Sequence, residues 1–184
     1  MTSARDRILD AYERQIISAG ERATTLESVA ADAGVSKGGL LYHFASKDAL
    51  RAALLARLEE RSAISDEEAT LDPAEAIRHS IESGADTNDP SFSAFLATET
   101  LARNGHRDAA EAIRTAERGW YDALLAATDD PLVARMAQLI GDGLYANVAI
   151  DPGPDASGFA VSPSADERAA IADALIELHD RRRA

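Results

Sequence analysis

Apolar residues recur along this chain with the 3.6-residue period of an amphipathic helix and nowhere at useful length with the two-residue period of a strand, which restricts the fold more than any other feature. Ile8, Leu9, Tyr12, Ile16 and Ile17 fall at i, i+1, i+4, i+8 and i+9, one stripe on one helix face. Gly20 follows, and glycine can take the left-handed conformation that closes a helix. Thr24-Thr25-Leu26-Glu27 opens a second helix, with Thr24 and Glu27 at the spacing of a capping box and Leu26, Val29, Ala30 and Ala33 as the buried face. Gly34-Val35 breaks it. Ser36 can cap a short third helix through Leu40, Leu41 and Phe44, and Ser46 a fourth striped by Leu50, Ala53, Leu54 and Leu58.

Beyond residue 60 the predicted helices lengthen. Pro73 suits the first turn of one running towards Ala85. Residues 86–90 read as a turn, 91–103 and 106–127 as helices broken by Asn104-Gly105, and Pro131 opens a further helix. Residues 151–164, with Pro152, Gly153, Pro154, Gly158 and Pro163, read as a long loop before a last helix over 166–183. The expectation is an all-α chain of about nine helices: a three-helix N-terminal domain over 1–47, then a larger helical domain over 48–184.

The chain has 184 residues, 46% hydrophobic and 28% charged, and no run of about 20 apolar residues such as a membrane span needs. Without a secretory-type apolar start, the expected location is cytoplasmic. No cysteine is present, which excludes disulfides, thiolate catalysis and cysteine-ligated metals. The formal net charge of −13 disfavours nonspecific binding to nucleic acid. The acid is uneven, however. Residues 1–60 carry 8 basic and 9 acidic side chains, and over residues 35–57 Lys37, Lys47, Arg51 and Arg57 face one acid, Asp48. A polyanion could be tolerated there.

The segment TLESVAADAGVSKGGLLYHFASK, residues 25–47, has helix-turn-helix spacing. Ala30 and Ala33 allow a close helix crossing, Gly34 can supply a turn with positive φ, and Val35 can plug the space between helices. Gly38 and Gly39 each cost a helix roughly 1 kcal/mol relative to alanine, which suggests that the second helix must approach another surface closely. An ordinary helical hairpin within a bundle is the alternative.

Residues 8–58, and AADAGVSKGGLLYHFASKDAL above all, resemble the DNA-binding domain of TetR-family transcriptional regulators. The resemblance implies a homodimer that binds double-stranded operator DNA through its N-terminal domains and releases it when a small molecule enters the C-terminal core, most members being repressors. Carried over by position, it implies that residues 36–43 form the recognition helix, with Ser36, Lys37, Gly38 and Gly39 at the major groove. Tyr42 and His43 would hold phosphates, while Thr25 and Lys47 clamp the backbone on either side. Lys37 is the best candidate for a guanine contact. Many members carry an aromatic at the position of Leu41, whereas here the tyrosine comes one residue later, so Tyr42 either contacts phosphate or packs inside the domain.

In that reading the helices over 131–150 and 166–183 supply a four-helix dimer interface as well as core. The effector would meet Phe92, Phe95, Leu96, Glu99, Trp120, Tyr121, Asp142 and Tyr145, which combine flat apolar surface with a few polar groups; plain core is the other reading of the same residues. AQLIGDGLYANVAI resembles the equivalent helix of members that sense cationic drugs, and an aromatic wall with Glu99 or Asp142 could hold a lipophilic cation.

Enzyme chemistry finds little support. His43, His79, His106 and His179 form no HxxxH or HExxH pair, no phosphate-cradling glycine loop or GxSxG elbow occurs, and no metal or cofactor is expected. A ligand-responsive DNA-binding repressor leads. The alternatives are a regulator acting through protein contacts without operator binding, and an all-α enzyme with an unrecognised site.

Overall fold

The computed structural model describes residues 3–150 and 160–184. Nine helices run in chain order among them: α1 Ala4–Ala19, α2 Leu26–Asp32, α3 Lys37–His43, α4 Lys47–Arg61, α5 Pro73–Gly84, α6 Pro90–Arg103, α7 Arg107–Thr128, α8 Pro131–Ile150 and α9 Ala165–Arg183. One short 3-10 turn, Glu68–Thr70, precedes α5, and no strand occurs among the described residues. The fold is all-α. Most of the loop expected over 151–164 lies outside the described residues; Ser164 at its end caps α9 by accepting from the Glu167 amide.

Helix boundaries follow local capping chemistry. Ser36 and Ser46 accept hydrogen bonds from the amides of Gly39 and Ala49, as expected of N-caps. The cap of α2 differs from expectation. Thr25, not Thr24, is the N-cap, and its reciprocal partner is Ser28, not Glu27. Thr24 is buried instead, and its hydroxyl donates to the Gly20 carbonyl at 2.9 Å.

The chain forms two compact units, Met1–Ala63 with Pro90–Ala116, and Ile64–Asp89 with Glu117–Ala184. In the first, the stripe of α1 is buried (Ile8, Leu9, Tyr12 and Ile16) against Val29, Leu40, Leu50, Leu54 and Leu58. Ile17 departs from the expected stripe and is partly exposed, because it sits one residue, or about 100° of helix rotation, past Ile16. A buried ionic node joins the unit's helices. Arg57 on α4 donates to Glu13 (2.7 Å) and Asp10 (2.6 Å) of α1, and Ser93 on α6 donates to the other oxygen of Glu13 at 3.0 Å.

In the second unit, α5 packs on α8 and α9 around Ile77, Ile81, Val133, Ala137, Leu144 and Leu175. The crossing of α5 and α8 requires glycine: a Cβ on Gly84 would stand 2.5 Å from the Gly141 carbonyl oxygen, and one on Gly141 would stand 2.9 Å from that of Ser80. Leu132 and Leu139 on α8 remain 49% and 60% exposed. No described helix is long and apolar enough to cross a membrane.

Candidate functional site

The turn between α2 and α3 is made by Gly34, whose φ of +67° is strained for other residues. Leu40 and Phe44 anchor α3 in the core, which leaves Lys37, Gly38, Leu41, Tyr42 and His43 exposed on its outer side. Tyr42 is 86% exposed, so it does not pack inside the domain. Its ring meets His43 edge to face at 5.1 Å. Ser36 caps α3 with an exposed side chain, and Thr25 caps α2 at the surface.

The glycines of α3 differ in what surrounds them. A Cβ on Gly38 would have Ser36 Oγ as its nearest neighbour, at 4.0 Å, so packing within the described chain does not demand glycine there. On Gly39 it would come within 3.3 Å of the same capping hydroxyl. Gly38 therefore weakens a seven-residue helix with no internal return, while leaving its outer side bare.

The cations are held by specific partners. Lys37 Nζ lies 2.6 Å from Glu27 Oε1 on α2, and its hydrogen bond holds the Glu27 carboxyl below the usual carboxylate range. Lys47, half-buried at the start of α4, donates to the backbone carbonyl of Glu21, whose side chain lies 2.7 Å from His106 Nε2. The run of positive charge over residues 35–57 shrinks in three dimensions. Arg51 is neutralised by Asp48 (2.7 Å) and Asp108 (3.0 Å), and Arg57 by the acids of α1. A count along the chain could not register acids that arrive from α1 and α7.

The eight effector candidates fall into two groups. Phe92, Phe95, Leu96 and Glu99 stand on α6 within the first unit, with Phe95 buried and Glu99 paired to Arg103 at 2.9 Å. Trp120 and Tyr121 on α7, with Asp142 and Tyr145 on α8, belong to the second unit and are half-buried. There the sequence reading missed three residues. Arg135 stacks 4.1 Å from the Tyr121 ring centroid and donates to Gln138, and Gln138 donates to the Glu117 carboxylate at 2.7 Å. Arg135 and Gln138 stand seven and four residues before Asp142 on α8, a spacing that could have revealed these two. Burial, helped by the negative charge of Glu117 and opposed by Arg135, pushes the Asp142 carboxyl up to about 6. That carboxylate has neither a hydrogen-bond donor nor an ion-pair partner among the described residues. The described residues contain no cluster of three or more His, Asp or Glu fit to hold a metal ion.

Residues 8–54 match the family described as bacterial regulatory proteins, tetR family. No curated protein matches the chain. Among solved structures, PfmR from Thermus thermophilus, a TetR-family transcriptional regulator, is 19% identical, covers 95% of this chain and 96% of its own, and gives a TM-score of 0.67. A proposed transcriptional regulator from Saccharomonospora viridis, solved with choline, is 21% identical over 95% of each chain at a TM-score of 0.64. The multidrug binding protein EbrR, solved with malachite green, is 24% identical over 95% of this chain and 96% of its own at 0.55. At such identities the likeness is one of fold.

Proposed function

We infer that a chain whose residues 8–54 carry the tetR-family helix-turn-helix domain is a ligand-responsive DNA-binding transcriptional regulator, and specifically a homodimeric repressor that leaves its operator when a small molecule binds. The supporting observation is the outer side of α3. It offers Lys37, Tyr42 and His43 around a glycine at position 38 that the chain's own packing does not require. Residues 1–47 read DNA, and 48–184 bind effector and partner. Lys37 contacts a base; Ser36, Gly38 and Gly39 admit the groove; Thr25, Tyr42, His43 and Lys47 hold the backbone. The exposed Leu132 and Leu139 of α8, with α9, supply the two-fold interface. The protein acts on DNA in the cytoplasm and catalyses no reaction.

The effector is a lipophilic cation. Asp142 feels the charge of the Glu117 carboxylate, the two standing on the helices that also carry Trp120, Tyr121 and Tyr145, and choline and malachite green, the ligands of two similar folds, are both cations. Glu99 is already committed to Arg103, which leaves Asp142 as the acid of choice. A gel shift on the chain's own upstream DNA tests the reading: a discrete complex that malachite green dissolves is expected. Absence of any complex removes the proposal, and a complex insensitive to the dye removes the cationic effector.

A further inference from the structure

We propose that Arg5, on the first turn of α1, is an additional operator contact that takes a backbone phosphate beside the C-terminal end of α3. The proposal rests on the operator-binding reading and extends it to a residue outside the matched segment 8–54. The Arg5 guanidinium lies 5.3 Å from the centroid of the Phe44 ring. Phe44 is the residue that ends α3, its side chain buried in the domain. The two residues before it, Tyr42 and His43, are exposed. Arg5 thus stands at the end of α3 to which the phosphate-holding side chains belong.

Among the described cations of residues 3–60, Arg5 and Arg22 form no hydrogen bond or ion pair, and of the two only Arg5 stacks on the ring that ends α3. Arg14 pairs with Asp32 at 3.1 Å, Lys37 with Glu27, Arg51 with Asp48 and Asp108, and Arg57 with Glu13 and Asp10. Arg7 donates to the Ala33 carbonyl, and Lys47 to that of Glu21. Arg5 is exposed, and its guanidinium has no hydrogen bond and no ion pair among the described residues. The adjacent acid Asp6, its carboxyl held low chiefly by the Ser3 hydroxyl, also feels the Arg5 charge but makes no ion pair with it. Asp6 accepts from the Ser3 hydroxyl at 2.6 Å and lies 3.9 Å from Arg57.

A guanidinium presents a planar fork of donors that fits phosphate, and stacking on an aromatic face restrains the side chain without consuming those donors. The ordering cost of a long arginine side chain is thereby partly met before DNA arrives. A phosphodiester is the ligand this arrangement suits. It carries the charge that the fork lacks, and it needs no base-specific geometry.

Binding of a fluorescent duplex from the upstream region, measured between 50 and 200 mM salt, tests the assignment. Losing one phosphate contact per protomer of a dimer lowers the magnitude of the log–log salt slope by about 1.8. The affinity gap between wild type and Arg5→Ala therefore shrinks about twelvefold across that range. Arg5→Lys, which keeps the charge and loses the fork, should hold the wild-type slope while binding more weakly. An Arg5→Ala slope equal to wild type, in a preparation where Lys47→Ala flattens it, overturns this contact and leaves the operator reading standing. Equal loss of slope in Arg5→Lys and Arg5→Ala also overturns it, since charge would not be the cause. Wild-type protein that ignores the duplex overturns the operator reading itself.

Discussion

Lys37, the first residue of α3, is bound in the free protein to Glu27 of α2, with Nζ and Oε1 2.6 Å apart and both side chains exposed. The residue assigned to base readout is therefore offered a carboxylate on its own domain, and DNA must compete with it. Glu27→Gln is expected to strengthen binding to all duplexes several-fold, because a repulsive charge near phosphate disappears as Lys37 is freed. Lys37→Ala should instead cost about 1–3 kcal/mol of discrimination between operator and mutated operator. Anisotropy titrations of both variants on both duplexes check this, and a Glu27→Gln protein that binds more weakly would contradict it.

Gly38→Ala separates stability from function. The new methyl group would meet only the Ser36 hydroxyl, at an ordinary contact distance of 4.0 Å, and alanine favours the helix by up to about 1 kcal/mol. Thermal unfolding should therefore move up or stay level while operator affinity falls. If affinity were unchanged, the outer side of α3 would not approach DNA closely at this residue.

The buried Arg57 is 8% exposed and Glu13 4%. Arg57→Ala leaves Glu13 with Ser93 and a distant Arg61 (3.7 Å) for compensation. The expected destabilisation is about 3 kcal/mol, read from denaturant unfolding, whereas an exposed pair such as Arg103–Glu99 should contribute under about 1 kcal/mol.

Asp142 gives a pH dependence of defined sign. Its folded-state pKa of about 6 lies above the unfolded value of 3.8, so the folded chain binds this proton more tightly. Its unfavourable contribution is full above about pH 6 and disappears as pH falls through 6 towards 4. Asp142→Asn should thus gain stability over wild type at pH 8 and lose that advantage near pH 4. Malachite green, if it meets this carboxylate, should bind wild type less well as pH drops below 6, a trend the Asn variant lacks. Trp120 fluorescence, the chain's one tryptophan, reports the titration.

Much of this organisation is legible in the sequence because it depends on neighbours along the chain. The α1 stripe, the caps at Ser36 and Ser46 and the positive φ of Gly34 follow from spacing and residue type alone. The cap of α2 falls one residue from its expected place because Thr24-x-x-Glu27 and Thr25-x-x-Ser28 both satisfy the reciprocal pattern, and only the helix phase distinguishes them. Pairings such as Arg57 with Glu13 or Lys47 with the Glu21 carbonyl join residues far apart in the chain, where spacing carries no information. The effector residues suffer similarly. Aromatic and acidic positions on α6 and on α7 and α8 look alike in sequence, yet they belong to different compact units.

The most direct measurement compares wild-type binding to a duplex from the chain's own upstream region with binding to a scrambled duplex of equal length, across 50–200 mM salt. The native duplex should bind at least about 10³-fold more tightly, with log affinity falling linearly against log salt for both. Equal affinity for the two duplexes at every salt concentration would contradict it.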